Sequence, residues 1–249
     1  MTRLPDGKLH AYFFDAGQGD SALVVTPSGK QILIDGGNDM SVLEHLGKYM
    51  PFFDRSIDLI VLSHPNKDHL VSLTEVLRRY EVKGILASSA EADLGRYLSF
   101  LNEIKTQSIP FLLPDPDKHI YFSDETVLDV IYPPEMLGIT DMNNRSLVFK
   151  ISSRGKSMLF TGDIETKAEN YILNSGADIS ADILKVAHHG SKTSSSENFL
   201  DAVSPSLAVI TAEINNSYGF PNTEVIERLD RLEIPIKQTG GGNVEVEMR

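Results

Sequence analysis

Five short apolar segments of this chain each run directly into a cluster of polar residues, and this feature constrains the fold most. The segments and their clusters are Ile32–Ile34 with Asp35-Gly36-Gly37, Leu59–Leu62 with Ser63 to His69, Met158–Phe160 with Thr161-Gly162-Asp163, Ile183–Ala187 with His188-His189-Gly190-Ser191, and Ala208–Thr211 with Asn215 to Pro221. The apolar segments have the length of buried β-strands. Because ligand sites of open α/β folds lie at strand ends, the pattern predicts a site built from several clusters.

Helix start signals alternate with these strands in both halves of the chain. Ser41, Ser72, Ser88, Thr166 and Ser194 each stand three residues before a glutamate, which is the capping-box spacing. The alternation predicts a mixed α/β chain. Two halves of similar content, about 1–115 and 116–249, favour a single domain of two β-sheets packed face to face with helices outside. Periodicity alone fits a single doubly wound sheet equally well.

Composition excludes several classes of protein. The chain has 249 residues and no cysteine, so a disulfide scaffold, a thiol nucleophile and a thiolate metal site are all excluded. Its formal charge of −12 argues against tight nonspecific binding of duplex DNA, although a local basic patch remains compatible with it. Neither a membrane span nor a signal peptide is visible, and we therefore expect a cytoplasmic protein. The oligomeric state is not indicated.

The segment His64-x-x-x-Asp68-His69 is a candidate metal site. It brings two imidazoles and a carboxylate within six residues. This combination suits zinc, manganese or iron. The alternative is a helix-capping aspartate with two surface histidines. The other clusters at strand ends favour the metal site, because a site needs several groups that converge.

Six segments in fixed order carry a family resemblance. Phe14–Ser21 resembles the opening motif DVGQGDS, Leu33–Gly37 a second block, Leu62–His69 the signature THxxxDH, Asn143–Val148 the motif NNxSLV, Phe160–Asp163 the motif LTGD and His188–Ser191 the motif HHGS. The chain thus resembles the metallo-β-lactamase superfamily over nearly its whole length. Within that superfamily it is similar to the hydrolase domain of competence-associated DNA-uptake proteins, the ComEC type, and their stand-alone relatives.

The resemblance implies an αββα sandwich of two mixed sheets, with one or two divalent metal ions, zinc or manganese, at one edge. By the family pattern His64 serves the first metal site, while Asp68 and His69 serve the second. Asp163 would bridge both sites. Asp68 would also orient the attacking water.

Two positions depart from the ligand pattern of the superfamily. Asn66 stands where a second histidine is usual, and Phe220 stands where a late histidine would complete the second site. Asn66, and Asn144 further along the chain, would offer only amide oxygen. A site rich in oxygen ligands favours manganese over zinc, or binds weakly, and one ion is an alternative to two.

Both histidines of the HHGS motif are candidate catalytic residues. His188 or His189 would steady phosphate charge or protonate a leaving group. The alternative is a hydrogen bond in a helix cap or the core. Asp15 and Asp20 stay open as site residues, and Asp35 is expected to support a turn.

These residues favour metal-dependent hydrolysis of a phosphodiester, as by a phosphodiesterase or nuclease. The resemblance implies a nucleotide-like or nucleic-acid substrate, and the charge of −12 favours a small or single-stranded one. Two alternatives remain. One is a catalytically weakened member that acts as a binding or structural module, and the other is a β-lactam or lactone hydrolase.

Overall fold

The computed structural model describes residues 4–88, 94–134 and 141–248. Within these ranges no helix combines the length and the apolar character that a membrane crossing requires. The described residues contain seven α-helices and sixteen strands. The helices are α1 (Ser41–Tyr49), α2 (Lys67–Leu70), α3 (Leu73–Arg79), α4 (Leu94–Gln107), α5 (Thr166–Ser175), α6 (Glu197–Val203) and α7 (Thr223–Arg231).

The strands alternate with these helices along the chain. The first half contributes β1 (Leu9–Phe13), β2 (Ala22–Val25), β3 (Gln31–Ile34), β4 (Ser56–Ile57), β5 (Leu59–Leu62), β6 (Glu81–Val82), β7 (Ile85–Ala87) and β8 (Phe111–Leu112). The second half contributes β9 (His119–Tyr121), β10 (Thr126–Tyr132), β11 (Val148–Ser153), β12 (Lys156–Phe160), β13 (Ile183–Lys185), β14 (Leu207–Ile210), β15 (Ile236–Gln238) and β16 (Val244–Met248).

Two seven-stranded mixed sheets form the centre of the molecule. The first has the order β16-β1-β2-β3-β5-β7-β8, and the second has the order β15-β14-β13-β12-β11-β10-β9. Each sheet has an antiparallel half and a parallel half. The last strand of the chain pairs with β1, so the first sheet contains a strand from the end of the second half.

Three apolar layers hold the sheets and helices together. Between the sheets, alternate residues of β1 such as Ala11 and Phe13 pack with side chains of the second sheet, including Phe149 and Phe160. The rings of Phe13 and Phe160 lie 5.9 Å apart. A second cluster joins the outer face of the first sheet to α1, α3 and α4, and a third joins the second sheet to α5, α6 and α7. The fold is therefore the predicted αββα sandwich, with helices on both outer faces.

The helices begin close to the predicted capping boxes, but their caps are formed differently. No side-chain hydrogen bond caps α1, α3, α5 or α6 from its own N-cap residue. Instead, Asn144 Oδ1 accepts hydrogen bonds from the N–H groups of Glu165 and Ala168 at the start of α5. The Glu169 carboxylate of α5 accepts from Ser195 and Ser196 at the start of α6. The box predicted at Ser88 extends into residues 89–91, which lie outside the described residues.

The parallel halves of the two sheets direct their carboxyl ends to a common edge of the sandwich. In the first sheet β3 pairs in parallel with β5, and in the second β12, β13 and β14 pair in parallel. Parallel pairing places the residues that follow these strands side by side. The polar clusters after them are therefore neighbours, although they are far apart in sequence.

Candidate metal centre

The turn from β5 into α2 supplies two buried histidines and an aspartate. His64 is the second residue after β5, and Asp68 and His69 lie on the single turn of α2. Both imidazoles are buried, and their ring centroids are 4.2 Å apart. The turn packs tightly against the β1–β2 connection, since a Cβ on Gly19 would lie 2.3 Å from the Asp68 carbonyl oxygen. Glycine at position 19 thus allows the close approach that fixes this turn.

Asp163 reaches the same place from the second sheet. It follows β12, where Gly162 adopts a left-handed φ of 49° and packs against the side chain of Ser146. The Asp163 backbone N–H donates to Ser146 Oγ at 3.1 Å. Its Oδ2 then lies 3.3 Å from His69 Nε2 and 3.8 Å from His64 Nε2. The carboxylate therefore lies near both histidines of the first sheet.

His189 completes the group from the end of β13. His188 and His189 both have left-handed backbone conformations, with φ values of 50° and 55°. His189 Nδ1 donates to the Thr211 carbonyl oxygen at 2.7 Å, so the neutral ring carries its lone pair on Nε2. This Nε2 lies 3.5 Å from Asp68 Oδ2 and 3.7 Å from Asp163 Oδ2. The strained turn thus directs a ligand atom at the two carboxylates.

The four side chains of Asp68, His69, Asp163 and His189 offer ligand atoms that all lie within 4.8 Å of one another. Two imidazoles and two carboxylates suit a divalent transition-metal ion. Among the described residues, the buried atoms His64 Nε2, His189 Nε2 and Asp163 Oδ1 have no hydrogen-bond partner. Buried polar atoms are rarely left unpaired, so three together indicate a site built for a cation.

Asp35 orients His69 from behind the cluster. Its carboxylate accepts hydrogen bonds from the Ser63 N–H and Ser63 Oγ, both at 2.7 Å, and from His69 Nδ1 at 2.9 Å. The bond to Nδ1 leaves Nε2 of His69 to face Asp163. A carboxylate behind a metal-binding imidazole fixes its tautomer and raises its basicity. Asp35 therefore does more than support a turn.

A buried ion pair lies on the other side of the cluster. Lys185 Nζ contacts the Asp20 carboxylate and lies 3.9 Å from Asp163 Oδ1, and it donates to the Gly162 carbonyl oxygen at 3.3 Å. Asp20 also accepts from Thr211 Oγ1. Lysine is almost never buried without a partner. Lys185 therefore neutralises part of the negative charge that the carboxylates bring into the centre.

Charge within the cluster shifts the pKa values of its histidines in opposite directions. Burial, and next the positive charge of His69, lowers the pKa of His64 to about 3. Burial also opposes the charged form of His189, but the carboxylates of Asp163 and Asp20 raise its pKa to about 10. Against burial, Asp163 and Asp35 raise the pKa of His69 as well. Without an ion, protons on His69 and His189 balance the carboxylates.

The carboxylates respond to the same charges. Burial raises the pKa of Asp163, but the imidazolium groups of His69 and His189 hold it well below its usual range. Burial likewise opposes ionisation of Asp20, yet the Lys185 ammonium keeps its pKa low. The centre thus holds ionised carboxylates that attract a cation.

The whole arrangement matches a known family. The profile of the metallo-beta-lactamase superfamily matches residues 14–211, which is most of the chain. The chain belongs to the metallo-beta-lactamase superfamily. The match runs from the end of β1 to Thr211 and so spans all the residues of the candidate centre.

Competence proteins are among the relatives of this superfamily member. The chain is 29% identical to ComE operon protein 3 of Bacillus subtilis over 90% of its own length and 31% of that protein. It is 30% identical to Recombination protein 2 of Haemophilus influenzae over 93% of its length and 28% of that protein. Competence protein ComA of Neisseria gonorrhoeae is 28% identical over 95% of the chain and 32% of that protein. The chain thus spans less than a third of each of these relatives.

Solved structures agree on the superfamily fold. The metallo-beta-lactamase fold protein YhfI from Bacillus subtilis aligns with a TM-score of 0.62 and 11% identity over 96% of this chain and 100% of its own. Igni18, a metallo hydrolase from Ignicoccus hospitalis, aligns with a TM-score of 0.62 and 13% identity over the same shares. At these identities the likeness supports the fold.

The structure brings together a different set of side chains from the set that the sequence predicted for the second site. The sequence interpretation left the second site without its late histidine because position 220 is phenylalanine. In the structure His189 joins Asp68, His69 and Asp163 at that site, while the Phe220 ring stacks beside His189 with centroids 6.5 Å apart. His189, predicted as a catalytic group, is thus one of the four side chains whose possible ligand atoms converge.

The two predicted amide ligands make hydrogen bonds to other groups. Asn144 Oδ1 accepts two backbone hydrogen bonds, at 3.1 and 3.2 Å, so both lone pairs of this oxygen are used in capping α5. The structure therefore argues against Asn144 as an oxygen ligand. Asn66 is half-buried at the start of α2, and its Nδ2 donates to Asn143 Oδ1 at 3.3 Å. His64 is not among the four side chains of the converging group.

The remaining predicted residues lie at the rim or behind the centre. His188 is partly exposed, with its Nδ1 3.5 Å from Glu165 Oε1 and its ring against Phe220. Asp15 lies outside the cluster, and its backbone N–H donates to Asn243. Sequence reasoning missed Lys185 altogether. A lysine in the buried strand Ile183–Lys185 was the signal that could have revealed it.

Proposed function

We propose that this protein is a metal-dependent hydrolase of phosphodiesters, of the phosphodiesterase or nuclease type. The observation that carries the proposal is the convergence of Asp68, His69, Asp163 and His189 within 4.8 Å, beside the unpaired Nε2 of His64. Perturbed titratable groups that converge at one edge of an α/β fold mark functional sites. The fold itself is that of a superfamily of metal-dependent hydrolases.

One divalent ion would be held by the four converging side chains. His64 would contribute to a weaker second site, and Asp163 would serve both sites. A bound divalent ion would polarise a phosphoryl oxygen and lower the pKa of a water molecule toward neutrality. The equal number of imidazole and carboxylate ligands is compatible with zinc and with manganese.

The protein's own groups supply orientation and proton transfer. Asp68 has the most solvent access of the four, with 32% of its side chain exposed, so we assign it the orientation of the attacking water. Since His189 stands in a ligand position, His188 at the rim is the remaining histidine that can donate a proton to a leaving oxygen. Lys185 would keep Asp20 ionised.

The proposed substrate is a nucleotide-like diester or single-stranded nucleic acid. A net charge of −12 repels a long duplex. Lys67 and Lys192, next to the two ligand-bearing turns, are exposed and offer cations for a few phosphates. The competence and recombination proteins that this chain resembles over less than a third of their length point toward nucleic acid.

A second candidate function is a binding module that retains the fold without turnover. The observation that favours it is the sparse His64 site, where Asn144 is used in a helix cap and Asn66 replaces a stronger ligand. A superfamily member that relies on two ions for catalysis would be weakened by this loss.

Assays of metal-loaded protein separate the two functions. The wild type should hydrolyse bis-p-nitrophenyl phosphate and a single-stranded oligonucleotide when loaded with manganese or zinc. Asp163→Asn should lose turnover and metal content together, with circular dichroism verifying that the variant is folded. Metal-loaded wild type that is inert toward diesters, nucleotides and single strands would favour the binding module. Full activity in folded, metal-depleted Asp163→Asn would exclude a metal-dependent mechanism.

A further inference from the structure

A column of aromatic rings leads from solvent to the metal centre. The Tyr218 ring, in a residue that is 68% exposed, stacks on Phe220 with centroids 5.8 Å apart and planes 16° from parallel. Phe220 in turn stacks on His189 at 6.5 Å and 26°. Two ring contacts therefore connect an exposed aromatic face to a residue in ligand position. Because most of Tyr218 is exposed, a ligand ring can stack on it and extend this column.

The loop that carries the two outer rings is held in place by its own hydrogen bonds. Asn216 Oδ1 accepts from the backbone N–H groups of Tyr218 and Phe220, both at 3.1 Å. Asn216 Nδ2 donates to the Glu213 carbonyl oxygen at 2.8 Å. One side chain thus fixes the backbone at both aromatic residues. The loop is therefore already ordered, and ligand binding costs little further conformational entropy of its backbone.

The loop is also packed against the turn of His188 and His189. A Cβ on Gly190 would lie 2.7 Å from Pro221 Cβ, so the two segments are in close contact. The Asn222 N–H donates to the Gly190 carbonyl oxygen at 2.8 Å. The position of the Tyr218 ring is therefore coupled directly to the turn that presents His189.

The chemistry of the column suits a nucleobase. A phenylalanine at position 220 cannot bind a metal, but its flat apolar ring stacks on both Tyr218 and His189. Exposed aromatic rings beside a positively polarised phosphate site are the means by which proteins bind single strands, because every base has a π-face. Bases in a duplex are already stacked on one another and cannot add to the column.

We propose that Tyr218, supported by Phe220, is a base-stacking platform, and that the substrate of the metal centre carries a nucleobase next to the scissile phosphodiester. The proposal rests on the function proposed above and assigns its substrate class as nucleotides or single-stranded nucleic acid. Tyr218 is then a specificity-determining residue that holds the base while the ligands and His188 act on the phosphate. Since stacking tolerates any base, selectivity for sequence should be weak.

Two diester polymers of equal length test this assignment. One is oligothymidylate, and the other has the same phosphate backbone with abasic tetrahydrofuran residues. For oligothymidylate, Tyr218→Ala should raise KM about tenfold and leave kcat within about twofold, while KM for the abasic polymer stays unchanged. Tyr218→Phe keeps the ring and should behave as the wild type. Tyr121→Ala removes a tyrosine that is 73% exposed on β9 and serves as the matched control.

The outcomes separate the platform from the catalytic function. Equal effects of Tyr218→Ala on both polymers, no effect on either, or a Tyr218→Phe variant that behaves as Tyr218→Ala would overturn the platform while leaving hydrolysis in place. If the metal-loaded wild type cleaves neither polymer, fluorescence anisotropy decides. Tighter binding of oligothymidylate that depends on the Tyr218 ring would retain the platform without hydrolysis, and no base-dependent binding would reject it.

Discussion

Oδ2 of Asp163 lies 3.3 Å from Nε2 of His69, although 94 positions separate the two residues in sequence. His69 belongs to the turn after β5 in the first sheet, and Asp163 follows β12 in the second. An ion held by both would therefore tie the two sheets together at one edge of the sandwich. Metal binding should for this reason be coupled to the stability of the whole fold.

We expect manganese or zinc to stabilise the protein against unfolding. At a free ion concentration of 100 times Kd, the gain in unfolding free energy is about 2.7 kcal/mol, because the ion binds the folded state. Urea denaturation with and without the ion measures this gain. Asp163→Asn should lose most of it. An equal gain in the variant would place the ion outside the proposed centre.

Adjacent histidines should differ in what they do. His189→Ala removes a ligand atom and should weaken metal affinity more than about tenfold, measured by competition with a chromophoric chelator. His188→Ala should retain the metal but reduce turnover about 10²- to 10⁴-fold, as expected for loss of a proton donor. Metal retained by His189→Ala together with metal lost from His188→Ala would reverse the two assignments.

The sequence predicted the sandwich because its strands and helices are visible in short-range patterns. A buried strand such as Leu59–Leu62 is recognisable as an apolar run. His64 and Asp163, which come after β5 and β12, meet at one edge because the two sheets pack face to face. The segment 57–63 was predicted as one strand, whereas the structure divides it into β4 and β5. β4 pairs only with the equally short β6, so its apolar pattern could not show the change of partner.

The partners of individual side chains were harder to predict, since they depend on turns with unusual conformations. The left-handed φ values at His188 and His189 decide which ring faces the carboxylates, and residue type does not encode this directly. From the sequence, the side-chain oxygen of Asn144 is a possible metal ligand. Whether it binds a metal or accepts hydrogen bonds from a helix N-terminus depends on where α5 begins. A lysine is ordinarily predicted at the surface, and only the burial of the whole strand Ile183–Lys185 shows that Lys185 is inside.

Restoring a ligand at position 66 should strengthen the site of His64. Asn66→His would add an imidazole on the turn that carries His64, and we expect metal content to rise toward two ions per chain. Inductively coupled plasma mass spectrometry of protein purified without chelator measures the ratio. Lys67→His, one residue further along the exposed side of the turn, is the control for histidine content alone. The same rise in both variants would exclude a specific site at position 66.

Removing one partner of the buried ion pair between Lys185 and Asp20 should lower the unfolding free energy strongly. Lys185→Met leaves a buried carboxylate without its cation and should lower the unfolding free energy by about 3–5 kcal/mol in metal-free protein. Adding Asp20→Asn should recover part of this loss, which urea denaturation of both variants would measure. Lys156→Met breaks an exposed pair with Asp182 and should cost at most about 1 kcal/mol. Equal losses in the two lysine variants would mean that Lys185 does not act as a buried cation.

Asp58, which lies outside the candidate metal centre, should make the stability of the fold depend on pH. Its carboxylate accepts hydrogen bonds from Lys83 Nζ at 2.9 Å, from the Gln31 N–H at 3.0 Å and from Lys30 Nζ at 3.1 Å. Burial raises the pKa of this carboxyl, but these donors, led by Lys83, hold it below its usual value. A lowered pKa in the folded state gives stability that is present above the unfolded pKa of about 3.9 and is lost as pH falls through the folded value.

Asp58→Asn should therefore lower the unfolding free energy by about 1–3 kcal/mol at pH 7, because the bonds to charged groups are lost. The gap between wild type and variant should shrink as pH falls below about 4, where the wild-type carboxyl also becomes neutral. Urea denaturation of metal-free protein across this range measures the gap, with the exposed Asp117→Asn as control. A gap of constant size at every pH would show that Asp58 contributes through packing, and that its charge adds nothing to stability.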